Sequence, residues 1–62
     1  MKIRLTEDIV MRGGERILEG AVGRVSLGRV VFYGRDVVGL PPGEEPAYDL
    51  DWILSRPHEM VK

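Results

Sequence analysis

Apolar and polar residues alternate from the start of the chain. In Lys2-Ile3-Arg4-Leu5-Thr6, Ile3 and Leu5 fall on one side and Lys2, Arg4 and Thr6 on the other, the period of a half-buried strand. Ile9-Val10-Met11 and Arg16-Ile17-Leu18 read as short extended pieces joined by a turn at Arg12-Gly13-Gly14-Glu15, with one helical turn near Ile9 as the alternative. Ala21–Leu27 is a further strand, with Gly23 placed as a bulge. Gly28-Arg29 then turns the chain into Val30-Val31-Phe32-Tyr33, and Gly34-Arg35-Asp36 turns it again into Val37-Val38-Gly39-Leu40. Pro41–Pro46 is a loop, and its Pro42-Gly43 suits the two central positions of a type II turn. Tyr48–Leu54 alternates once more: Tyr48, Leu50, Trp52 and Leu54 on one face, Asp49, Asp51 and Ile53 on the other. A turn at Ser55–His58 leads to a last short strand, Glu59-Met60-Val61.

Between Gly13 and Gly43, successive glycines are never more than six positions apart. Interior glycine costs a helix roughly 1 kcal/mol, so little room is left for helices. The residues between the glycines are rich in Val, Ile, Leu, Phe and Tyr, which suit pleated strands. Several short strands and one long early connection in 62 residues predict an all-β chain, either a small five-stranded barrel or a curled antiparallel sheet, as a single domain over residues 1–62.

Composition narrows the possibilities. A chain of this length buries only about 60% of the surface its unfolded form exposes, and it has no cysteine and one histidine, His58, to staple it. Stability must come from packing, from good turns or from a partner. No run approaches the roughly 20 apolar residues of a membrane span, and no apolar signal core follows Met1. The expectation is a soluble, unprocessed cytoplasmic product with no membrane association. Net charge is −1, yet residues 1–35 hold seven basic and four acidic groups and residues 36–62 two and six, a dipole along the sequence. Seven of the nine basic residues are arginine, which favours planar and stacked contacts; adaptation to heat gives the same bias.

Gly20-Ala21-Val22-Gly23-Arg24-Val25, after the charged turn at Gly14-Glu15, resembles the KOW-type signature, in which Gly-x-Val opens a strand of an SH3-like barrel. Trp52-Ile53-Leu54-Ser55, a short turn and Val61 are similar to the end of such barrels. The resemblance implies a five-stranded SH3-like barrel. It also implies a module that contacts RNA or an RNA polymerase, or one that plugs onto a larger assembly. Thr6-Glu7-Asp8-Ile9-Val10 lacks the aromatic residues with which SH3 domains hold proline-rich peptides, so that activity is not carried over.

Motifs for chemistry are sparse. Gly23–Val30 nearly spells a phosphate-binding loop, but Arg29 and Val30 stand where lysine and a hydroxyl are required. Gly20-Ala21-Val22-Gly23 has the spacing of a KH loop without its flanking helices. One histidine and two serines, Ser26 and Ser55, give no nucleophile–base pattern. The expectation is no catalytic residue, no metal and no cofactor, hence not an enzyme. Trp52 is expected to anchor the core. Asp49 and Asp51, roughly 7 Å apart on one strand face, are a candidate acidic surface. Phe32 and Tyr33 point to opposite faces, and alternation alone does not fix which is buried; if Val30 and Phe32 face inward, then Arg29, Val31, Tyr33 and Arg35 face outward, and Arg24, with Lys2 and Arg4, joins them. Arg24, Arg29, Tyr33 and Arg35 are therefore the candidate contact face, a layout suited to base stacking and phosphate pairing or to protein contact. The expected function is a non-enzymatic accessory or protein-interaction module that docks on a larger partner or self-associates head to tail. The alternative is a KOW-like RNA- or DNA-binding module.

Overall fold

The computed structural model describes all residues, Met1–Lys62. Eight short strands follow in chain order: β1 (Lys2–Leu5), β2 (Ile9–Val10), β3 (Arg16–Ile17), β4 (Val22–Ser26), β5 (Arg29–Val31), β6 (Val37–Val38), β7 (Ala47–Asp49) and β8 (His58–Val61). A 3₁₀ turn, Gly34–Asp36, precedes β6, and one short helix, α1 (Leu50–Leu54), lies between β7 and β8. The strands form a five-stranded antiparallel sheet in the order β7-β5-β4-β1-β8 and a three-stranded one in the order β2-β3-β6. The chain is all-β, and its sheets curl over one core without closing into a barrel.

Alternation decides what each sheet buries. Ile3 and Leu5 of β1 are buried, while Lys2 and Arg4 face out. Val30 and Phe32 are buried, while Val31 and Tyr33 are exposed. In the smaller sheet Ile9 pairs with Ile17, and Ile17 with Val37, so three buried side chains stand in one row. These residues, with Ala21 and Ile53, make up the core between the sheets.

The loop Pro41–Pro46 explains why the barrel stays open. The run ends at Val38 because Gly39 turns the chain at φ +82, the prolines beyond carry no N–H for a ladder, and β6 pairs with β3 alone. The expected strand to Leu40 is thus cut short. Within the loop the expected turn forms: Gly43 has φ +84 and the Glu44 N–H donates to the Pro41 carbonyl (3.2 Å). No helix is long and apolar enough to cross a membrane.

Three expectations are corrected. First, Gly23 is not a bulge: it pairs in unbroken register with Ile3. It is glycine because a Cβ there would lie 2.3 Å from Val30 Cγ1 and 2.9 Å from the Phe32 ring. Second, the β4–β5 turn falls one residue earlier than expected. Ser26 pairs with Arg29, and Leu27 (φ +49) and Gly28 (φ +76) are the central residues, a type I′ turn whose twist matches that of the strands. Third, Tyr48–Leu54 is not one strand. Asp49 caps α1 by accepting the Trp52 N–H (3.1 Å), and the change of period turns the opposite side inward. Ile53 becomes the buried anchor at 0% exposure, and Trp52 lies at the surface at 36%.

Candidate functional site

The outer face of the five-stranded sheet collects the basic side chains of strands distant in sequence. β1 runs between β4 and β8, and its register sets Lys2 directly opposite Arg24, with Arg24 in turn opposite Val31. Two cations thus stand side by side on neighbouring strands, a pairing that disfavours the fold. Neither has a carboxylate in ion-pair range, because the one ion pair of the chain joins Arg4 to Glu59. Beside them runs a groove of about 370 Å³ lined by Lys2, Val22, Arg24, Val31, Phe32 and Tyr33. Its lining combines valines and aromatic residues with two cations, and the Phe32 side chain itself is buried in the core.

Tyr33 leaves the end of β5 with 59% of its surface exposed. The Arg35 guanidinium lies 5.1 Å from the centre of its ring, a cation–π contact that steadies an otherwise mobile side chain. Arg24, Tyr33 and Arg35 therefore come together as the sequence suggests. Arg29 lies on the same face but outside the groove, opposite Asp49, and its guanidinium donates to the Ala47 carbonyl (3.2 Å). Arg4 is engaged by Glu59. Lys2 is the residue whose weight sequence reasoning underrates, since only the pairing of β1 with β4 brings it beside Arg24.

The proposed acidic strand face of Asp49 and Asp51 does not exist as such. Asp49 is the N-cap of α1 and Asp51 lies in its first turn, both near the positive end of the backbone dipoles, where carboxylates are favoured. The sequence carries a signal for this: Leu50, Ile53 and Leu54 have the i, i+3, i+4 spacing of a helix, preceded by a capping aspartate.

A polar link joins the two sheets. The Tyr48 hydroxyl, from β7, donates to Glu15 Oε2 (3.0 Å) in the β2–β3 turn. Burial, then the hydrogen bond to Glu15 and the charges of Glu15 and Glu44, push the Tyr48 pKa up to about 12. His58 Nδ1 lies 2.7 Å from the Arg56 carbonyl, closing the turn before β8. No three His, Asp or Glu side chains gather closely enough to hold a metal ion.

Compared with known proteins, the chain matches no protein-family model, and no curated protein or solved structure is significantly similar to it.

Proposed function

We propose that this chain is a non-enzymatic interaction module, with an SH3-like strand arrangement, that docks on a larger partner through the outer face of its five-stranded sheet. The observation that carries the reading is the unpaired Lys2–Arg24 couple beside the groove. Like charges set opposite each other weaken a sheet, and a bound group of opposite charge relieves the repulsion. Tyrosine and arginine, the residues at the groove's rim, are those that dominate binding energy at protein interfaces. A core of nine buried hydrophobic residues leaves a thin stability margin, to which docking adds.

The test is affinity capture from extract of cells that make the protein. Arg24→Glu and Tyr33→Ala serve as groove variants, and Arg12→Glu, outside the groove, as the control. A protein held by wild type and control but lost by both groove variants supports the reading. A protein held equally by all four removes it.

The stack of Arg35 on Tyr33 beside two cations favours a second reading, a KOW-like module for single-stranded RNA or DNA. A base would stack on the open tyrosine face and phosphates would pair with Lys2 and Arg24. Affinity would then fall steeply with salt as counterions are released, and Tyr33→Ala would weaken binding by about 1–3 kcal/mol. Amide-resolved NMR titration with mixed-sequence RNA and DNA, at low and then moderate salt, measures both; unchanged spectra at low salt exclude this reading.

A further inference from the structure

Leu27 is out of place in two respects. It holds the first central position of a two-residue turn at φ +49, a region that bulky side chains avoid and that Asn, Asp or Gly normally fills. Its side chain is also 100% exposed, so no packing within the folded chain compensates. Backbone strain of this kind is concentrated where a function uses it.

The surroundings of the tip carry more acid than base: Asp49 and Asp51 lie against one arginine, Arg29, which stands opposite Asp49. The Leu50 N–H donates to the Gly28 carbonyl (3.0 Å), which holds the first turn of α1 against the β4–β5 turn. Asp49 and Asp51 flank Leu50, so the turn that carries Leu27 is joined to a segment with two carboxylates. Further along the same hairpin lies the groove, lined by Lys2 and Arg24 together with Val22, Val31 and Tyr33. Leu27 is three residues from Arg24, roughly 10 Å along the strand, and a rigid hairpin cannot fold its own tip into its own groove. The two ends are complementary in both charge and polarity.

We propose that the β4–β5 tip of one copy docks in the Lys2–Arg24 groove of the next. Leu27 lies against Val22, Val31 and Tyr33, while Asp49 and Asp51 face Lys2 and Arg24. The inference rests on the groove being a docking site, as proposed above. Tip and groove are different surfaces, so the contact is heterologous and builds open chains of copies rather than a closed pair. Its small area makes each junction weak.

Complementation tests it. Leu27→Asn removes the tip and leaves the groove; Arg24→Glu reverses the groove and leaves the tip. Sedimentation equilibrium at low salt, from about 10 μM to about 1 mM, spans the range where weak junctions form. Wild type is expected to gain mass with concentration without stopping at a dimer, and each variant, folded by NMR, is expected to stay monomeric. An equimolar mixture of the two is expected to form a 1:1 complex, since one tip and one groove remain. A monomeric wild type, a mixture that stays monomeric, or a closed dimer insensitive to Leu27→Asn would overturn the proposal. A partner captured through Arg24 and Tyr33 by a strictly monomeric chain would also overturn it, while leaving the docking reading in place.

Discussion

Gly23 and Leu27 lie four residues apart on one hairpin and have opposite relations to their sites. Gly23 fits: the Val30 and Phe32 side chains close over it so tightly that no Cβ can be added without displacing them. Gly23→Ala is expected to destabilise the chain by about 1–3 kcal/mol, the usual effect of overpacking a core, measured by chemical denaturation. Leu27 does not fit, since a left-handed conformation costs a bulky residue roughly 1–2 kcal/mol. Leu27→Asn is expected to raise stability by about 1 kcal/mol, with an unchanged fold by NMR. A fall in stability would show that Leu27 has a role within the folded chain. Tyr33 is a third case at this scale. That Phe32 and Tyr33 point opposite ways is legible in the sequence, because neighbours on a strand alternate faces; that Tyr33 is the outward one is decided by the packing of Phe32 into the core. Arg35 on its ring is not legible, because that contact depends on the 3₁₀ turn after Tyr33.

Among the elements, α1 shows where pattern reading goes astray. Tyr48 to Leu54 satisfies period two, yet Leu50, Ile53 and Leu54 also satisfy the helical spacing, and seven residues are too few for either period to prevail. The Asp49 cap and the core position open to Ile53 favour the helix. Asp49→Ala is expected to lower stability by about 1 kcal/mol through loss of the Trp52 N–H partner. Ile53→Ala is expected to cost about 2–5 kcal/mol, the range for a fully buried aliphatic residue, and more than Trp52→Ala. Thermal unfolding of the three variants compares them directly. If Trp52→Ala proved the most damaging, the assignment of Ile53 as the anchor would be wrong.

In the molecule as a whole, two sheets share one small core, and the Tyr48–Glu15 hydrogen bond ties β7 to the β2–β3 turn across them. Tyr48→Phe is expected to cost about 1 kcal/mol. The bond also gives stability a pH dependence of definite sign. The unfolded chain loses the tyrosine proton near the ordinary value of 10.0, whereas the folded chain holds it to about 12. Between these values the unfolded state binds fewer protons, so stability falls as pH rises from 10 to 12 and is unaffected by this group below that window. Denaturation of wild type and Tyr48→Phe across the window should show a steeper decline for wild type. Parallel declines would mean that Tyr48 is not the group responsible.

Local physics carried much of this chain. Alternation and turn chemistry were enough to determine an all-β fold, the inward direction of Ile3 and Leu5, a β4–β5 hairpin to within one residue and the Pro42-Gly43 turn, since each depends on neighbours a few residues apart; which face of Val30–Tyr33 is buried depended on the packing of the sheets. Only the tertiary structure decided which strands lie side by side. That choice put Lys2 beside Arg24, sent β6 to β3 instead of closing a barrel, buried Ile53 in place of Trp52 and pressed Phe32 onto Gly23. Its physical basis is long-range packing: a strand's own period states which face is apolar, and the partner that covers that face is set by every other element competing for the same core.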